Sequence, residues 1–239
     1  MIYFFIALIA CIIGSFIGVG GGIIIIPLLL SLGIEKSNAA VNSALTVFIM
    51  SILTTIIYIR RKQGDLKTAI LFGIGVIPGA AIGVHINKLV SPKTFNIIFI
   101  VLMISLIIIL FFKKRVPKIN LNNITKPFIG LFIGIVSGLF GIGGGPITVP
   151  ALLLLYGATQ KNAGATAIYL TLIATGNAVL NYMISGNKDL TLSLYMIPAA
   201  IIGSALGTYF NKKASEKLCN ILFNCVLIFI IIKQVFAIF

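Results

Sequence analysis

An uncharged run from Met1 to Ile34 is interrupted in its middle by Gly18-Val19-Gly20-Gly21-Gly22, with Pro27 five residues further on. The apolar flanks favour helix, whereas each of three adjacent glycines costs about 1 kcal/mol relative to alanine in a helix interior. The helix is expected to break there. The same element returns as Gly141-Ile142-Gly143-Gly144-Gly145, with Pro150 five residues on. A broken helix in an apolar medium exposes backbone N–H and C=O groups, which is tolerated only where they are buried in protein or line a cavity. Two breaks at matching positions point to a binding site between them.

Composition decides which medium surrounds these segments. With 59% hydrophobic and 9% charged residues and a mean hydropathy of +1.18, the chain lies far outside the soluble globular range. Apolar runs such as residues 97–112 recur along its length between short polar loops, which excludes a soluble phosphate-loop protein. The expected class is an all-α polytopic membrane protein. The abundance of Ile, Lys and Asn points to an AT-rich prokaryotic genome, and so to the cell (inner) membrane. The net charge of +14 comes from Lys and Arg in loops between apolar segments, read as topology signals and anionic-lipid contacts rather than as a nucleic-acid surface. Met1-Ile2-Tyr3-Phe4-Phe5 has no basic residue of the kind that opens a signal peptide, so the first segment is expected to stay in the mature chain. Cys11, Cys219 and Cys225 lack C-x-x-C spacing and are expected to pack as small hydrophobes, with no metal site and no cofactor.

After the first segment, spans are expected over about 37–59, 66–87 and 95–112. Asp65 is expected to cap the second of these three, which carries Pro78-Gly79 as a kink and ends near His85, an interfacial histidine. Residues 113–126 form a basic linker, dividing a first repeat, 1–112, from a second, 127–239. The repeats align at an offset of 123 from Gly22 to Gly145, then 124 from Asp65 to Asp189. Pro78 and Gly83 pair with Pro198 and Gly203, and Ser91, Lys93 and Asn96 with Ser215, Lys217 and Asn220.

Either each glycine segment spans and the halves lie parallel, or each re-enters as a hairpin and the halves are inverted. Cytoplasmic loops collect Lys and Arg. The inverted arrangement gathers Arg60, Arg61, Lys62, Lys67, Lys113, Lys114, Arg115, Lys118, Lys126, Lys161, Lys212, Lys213 and Lys217 on one side. It leaves Lys36, Lys88, Lys93, Lys188 and Lys233 on the other, a split of 13 to 5 against 11 to 7 for the parallel one. Loop charge therefore favours two inverted repeats, each a glycine-broken segment plus three transmembrane helices, with both termini outside.

The two glycine-proline motifs, each leading into a helix of alanines and small polar residues, resemble the sulfite exporter TauE/SafE family. The resemblance rests on Gly20-Gly21-Gly22 with Pro27, Ala40-Val41-Asn42-Ser43 and Gly64-Asp65, and on Gly143-Gly144-Gly145 with Pro150, Ala163-Gly164-Ala165-Thr166 and Asp189. It covers nearly the whole chain and implies movement of sulfur-containing anions such as sulfite, sulfoacetate and other sulfonates. The chain departs from the family's pattern in His85-Ile86-Asn87 and in having no tryptophan beside the loop aspartate.

Half-helices that point their N-termini at the midplane bind anions without a buried cation. The expected substrate-binding set is Gly20, Gly21, Gly22 and Pro27 in the first half, with Asn42 and Ser43 on the helix that follows. Its second-half members are Gly143, Gly144, Gly145 and Pro150, with Thr166 and Asn177. Ser43 and Thr54 share a helix face at a spacing of eleven, as do Thr166 and Asn177. The alternative for each small polar residue is to hold helices together, and for each proline to start or kink a helix. Glu35, Asp65, Asp189 and Glu216 all fall at segment ends, so no carboxylate proton relay is expected inside a span. The leading function is a secondary transporter exporting a small anion, either a sulfur oxyanion or an organosulfonate, by alternating access. An uptake permease or channel for another small anion is the alternative, and an embedded enzyme or a scaffold explains less. Homo-oligomer formation stays open.

Overall fold

The computed structural model describes residues 1–111, 124–186 and 189–236. Most of the basic linker expected at 113–126 lies outside the described residues. Within them the chain is helical, with no strand: α1 (Ile2–Ile17), α2 (Gly22–Ser31), α3 (Lys36–Arg60), α4 (Leu66–Leu89), α5 (Pro92–Phe111), α6 (Thr125–Phe140), α7 (Gly145–Leu155), α8 (Gln160–Ile184), α9 (Thr191–Lys213) and α10 (Glu216–Phe236). α3, α4, α8 and α9 are each long and apolar enough to cross a membrane. Their polar residues point inward: Asn42, Ser43, Thr46, Ser51 and Thr54 of α3 are all fully buried, while Ile70, Ile74 and Ile77 of α4 are exposed. That inside-out distribution is the one a hydrocarbon surround requires. Cys11 and Cys219 are buried as expected; Cys225 is exposed instead.

α1 ends at Ile17 and α2 begins at Gly22, and α6 ends at Phe140 and α7 begins at Gly145. Gly18 ends α1 in the left-handed conformation, φ 79°, where a side chain would be strained. The N–H groups of Gly18, Val19 and Gly20 all turn back onto the Gly14 carbonyl, at 2.9, 3.0 and 3.3 Å. Gly141 ends α6 in the same way, φ 68°, its N–H 2.8 Å from the Ser137 carbonyl.

Contacts between elements fix their directions. Gly75, Gly79 and Gly83 of α4 lie against Pro127, Leu131 and Ile135 of α6 in rising order, so these helices run parallel. Gly203 and Gly207 of α9 lie against Leu8 and Ile12, so α9 runs parallel to α1. The turn after α3 touches the first turns of α8, with Asp65 N–H donating to Thr166 Oγ1 at 2.8 Å. The turn after α8 touches the first turns of α3, with Asn42 Nδ2 donating to the Asp189 carbonyl at 2.8 Å. α3 and α8 are therefore antiparallel.

Side-chain bonds repeat between the halves. Tyr58 Oη donates to the Ser15 carbonyl and Tyr182 Oη to the Gly138 carbonyl, both at 2.7 Å. Asn87 Nδ2 donates to the Leu139 carbonyl at 2.7 Å, and Asn211 Nδ2 to the Phe16 carbonyl at 2.6 Å. These pairs correct the expected alignment of Pro78 with Pro198. Gly79 and Gly203 face Leu131 and Leu8, and Gly83 and Gly207 face Ile135 and Ile12, so the offset stays at 124 through α9. The two prolines stand at different depths of their helices, and α4 runs on through Pro78 as one helix.

Asp65 caps α4 as expected, its Oδ1 accepting from Thr68 N–H at 3.1 Å and its Oδ2 from Thr68 Oγ1 at 2.6 Å. Burial acts to raise its pKa, but these bonds, the Lys67 N–H and the Lys126 charge hold the carboxyl below the usual carboxylate range. A depressed folded-state pKa stabilises above the unfolded value and is lost as pH falls through the folded one. Asp65→Ala is expected to lower stability by about 1 kcal/mol and Asp65→Asn by less, since asparagine also caps. Thermal unfolding of the three proteins at neutral pH checks this; a loss as large for Asn as for Ala would argue that charge, not capping, matters.

Candidate functional site

The chain reverses at each glycine element and brings the two elements together. Gly18 lies against Gly164 in the second turn of α8, while Gly20 lies between Val47 of α3, Thr171 of α8 and the Ile142 carbonyl. Gly21 then comes back beside Ala10 and Cys11, so α2 returns along α1. A Cβ on Gly22 would lie 2.5 Å from Ile142 Cα, and one on Gly145 would lie 2.0 Å from the Val19 carbonyl oxygen. The N-termini of α2 and α7 thus interlock, each glycine against the other half's turn. Neither terminus has a side-chain cap, and no helix satisfies its own first N–H groups internally. Pro146 stands in the first turn of α7 and removes one such donor there.

The expected site residues divide into two sets. Gly20, Gly21, Gly22, Gly143, Gly144 and Gly145 meet at the junction, all buried. Ser43 reaches it as well, its Oγ donating to the Gly141 carbonyl at 3.0 Å. Pro27 and Pro150 are buried one turn and a half inside α2 and α7, so they do not start those helices. Asn42 and Thr166 hold the turns between spans. Asn42 Oδ1 accepts from Ser193 N–H at 2.8 Å and Ser193 Oγ at 2.7 Å, and Asn42 Nδ2 donates to the carbonyls of Asn38 and Asp189. Asn177 is half-buried and accepts from Asn181 one turn further along α8.

A polar cavity of about 240 Å³ lies beside Thr166, lined among others by Lys62, Asp65, Thr68, Tyr156 and Asn162. It is at the end of the bundle that carries Arg60, Arg61 and Lys62. At the opposite end the Asn42–Ser193–Asp189 bonds occupy the corresponding position.

A family model described as sulfite exporter TauE/SafE matches residues 3–234. The chain belongs to the TauE/SafE family. Relatives of this TauE/SafE chain include the probable membrane transporter protein YunE of Bacillus subtilis, 31% identical over 252 residues that cover 93% of this chain and 92% of that protein. A probable membrane transporter of Methanocaldococcus jannaschii is 28% identical, covering 90% and 88%. YfcA of Escherichia coli K12, also a probable membrane transporter, is 26% identical, covering 91% and 82%. No solved structure matches the chain. The TauE/SafE chain is thus an integral membrane protein of a transporter family. Thr171, which touches both glycine elements, and Pro146 were not singled out from the sequence; the eleven-residue spacing drew attention to α8 positions 166 and 177 instead.

Proposed function

We propose that this chain is a secondary transporter that exports a small anion, sulfite or a small organosulfonate, by alternating access across the inner membrane of a prokaryotic cell. The observation that carries the reading is the interlocking of two uncapped helix N-termini in the middle of the bundle, around glycines 20–22 and 143–145. Helix N-termini attract anions through their N–H groups and partial positive charge, without a full opposing charge to hinder release. The family's description names sulfite, which is why sulfur oxyanions come first.

The reading takes 1–112 and 127–239 as inverted repeats joined by 113–126, each a re-entrant hairpin followed by three spans. Equivalent helices related by an axis along the membrane normal would run parallel; an axis in the membrane plane makes them antiparallel, as α3 and α8 are. The basic end of the bundle is then cytoplasmic, and the cavity beside Thr166 opens toward the cytoplasm. An inside-negative potential of 100 mV favours anion exit by about 2.3 kcal/mol per charge, which sets export as the direction.

The test is flux from proteoliposomes loaded in turn with sulfite, sulfate, thiosulfate and sulfoacetate under an imposed potential. Saturable, potential-driven efflux of one anion is expected, lost in Gly144→Leu, where even the first side-chain carbon would come within 2.6 Å of Ile133 Cγ2. Gly33→Ala, with nothing within 4 Å of the added carbon, is expected to keep it. Flux that does not saturate would favour a channel; folded protein that moves none of the four would overturn the assignment.

A further inference from the structure

A groove of about 470 Å³ runs between α1, α9 and α10, away from the glycine junction. Ile13 and Phe16 of α1 line it together with Leu218, Leu222 and Val226 of α10, and Lys213, the last residue of α9, stands in the same lining. The three α10 residues recur every fourth position and so share one face of that helix over about 12 Å. The end of the groove that carries Lys213 lies at the basic end of the bundle, since Arg61, just past α3, donates from Nη1 to the Thr208 carbonyl of α9 at 2.8 Å. Lys212 and Lys217, both exposed, flank Lys213 in sequence. The Lys213 ammonium rests 4.6 Å from the centroid of the Tyr209 ring.

Charge decides what fits this groove. A second copy packed about a two-fold axis would set these lysines against their own counterparts, in a chain with 18 Lys and Arg against 4 Asp and Glu. Glu216 stands nearby in sequence, but its Oε2 accepts from the Lys161 N–H at 3.1 Å. An anionic phospholipid brings an acyl chain for the apolar walls and a phosphate for the lysines. The other half has a groove of the same construction, about 430 Å³, with Ile98 and Leu102 in the places of Leu222 and Val226, and Val136 and Leu139 in those of Ile13 and Phe16. Among the described residues its lining carries no charge, and Leu89 corresponds to Lys213.

We propose that the groove between α1, α9 and α10 is a binding site for an anionic phospholipid, one acyl chain lying along Leu218, Leu222 and Val226 and the headgroup phosphate meeting Lys213, Lys212 and Lys217. The groove of the other half takes anionic and zwitterionic lipid alike. Neither statement depends on which substrate the protein moves.

The chain has no tryptophan, so Leu222→Trp and Ile98→Trp each put a single indole into one groove, at positions that are both 36% exposed. Fluorescence quenching is followed in phosphatidylcholine vesicles into which phosphatidylglycerol or phosphatidylcholine with brominated chains is titrated. In Leu222→Trp, brominated phosphatidylglycerol is expected to reach half-maximal quenching at a mole fraction at least about fivefold lower than brominated phosphatidylcholine, the factor one lysine is worth at an anionic surface. Adding Lys212→Gln, Lys213→Gln and Lys217→Gln together should bring the two lipids level, and in Ile98→Trp they should quench alike from the start. The chain without an added indole gives a second reading: phosphatidylglycerol in detergent micelles should raise its unfolding temperature more than phosphatidylcholine does, and the three glutamines should abolish the difference. Equal quenching by the two lipids in Leu222→Trp would overturn the proposal. So would a preference that survives loss of the three lysines, or one of the same size in Ile98→Trp. An indole shielded from both lipids in a protein that elutes as a dimer would overturn it in favour of a second copy.

Discussion

Replacing Gly75 by valine is expected to leave almost no folded protein, and Gly130→Val is expected to do the same. These residues belong to two glycine rows, 75-79-83 on α4 and 130-134-138 on α6, which interdigitate as the helices run side by side. A Cβ at Gly75 would lie 1.7 Å from the Pro127 carbonyl oxygen, and one at Gly130 would lie 1.9 Å from the Phe72 carbonyl oxygen. Both obstacles are backbone, so no rotamer change relieves them. The helices would have to part by more than about 1 Å, and close backbone approach is what holds helices together where lipid removes the hydrophobic drive. Overpacking of a tight interior costs about 1–3 kcal/mol where side chains can adjust, and more where they cannot. Against a total stability of about 5–15 kcal/mol, that is enough to remove most of the folded population. Gly186→Ala is the control: its φ of 89° is strained for alanine, but nothing lies within 4 Å of the added carbon. Size-exclusion profiles of detergent-extracted protein check the contrast. A monodisperse peak of native height for Gly75→Val would show that the α4–α6 contact is looser than described.

The same rows explain how far the sequence could be read. Helix boundaries were legible because their signals are local: Asp65 before an apolar run caps α4, and Gly18 and Gly141 end α1 and α6 where triple glycine follows. Which helices touch was not legible. That α6 of one half pairs with α4 of the other depends on glycines every fourth residue meeting a second such row across a distance the chain order does not encode. The pairing of Pro78 with Pro198 fails for the same reason, since Ile-Pro is a conspicuous local repeat, whereas the spacing of the glycines becomes informative only through their contacts. At the candidate site, the glycine elements announced themselves by their helix-breaking cost. Asn42 and Thr166 drew notice as polar residues in an apolar helix, yet each bonds a turn between spans. Thr171 looked no different from its neighbours, because an unpaired hydroxyl is a property of the packed state. Loop charge, a long-range signal summed over many residues, favoured inversion of the halves, and the antiparallel course of α3 and α8 supports that proposal from independent contacts.

The second large effect is expected at Asn42, and it should be unequal to that at its counterpart Thr166. Asn42 is fully buried and uses both ends of its amide: Oδ1 accepts from the backbone N–H and the hydroxyl of Ser193, and Nδ2 donates to two carbonyls, one of them that of Asp189. Leucine has the same branched shape, though it is bulkier, and none of these groups. Asn42→Leu would leave the Ser193 N–H and the Asp189 carbonyl without their partner, at about 1–3 kcal/mol for each polar group that stays buried. A total of about 2–6 kcal/mol is therefore expected, concentrated where α9 begins. Thr166→Val removes one acceptor, for the Asp65 N–H, beside a polar cavity through which water can replace it. Its cost should stay near 1 kcal/mol. Thermal unfolding of the two variants in the same detergent measures the difference, and protease sensitivity of the turn at 185–190 locates it. If both variants shift the midpoint equally, the turn after α8 is no more tightly sealed than the turn after α3. If Asn42→Leu alone is strongly destabilised, the helices are held more tightly at the sparsely charged end of the bundle, where both amide groups of Asn42 are sealed, than at the basic end, where the cavity beside Thr166 admits water.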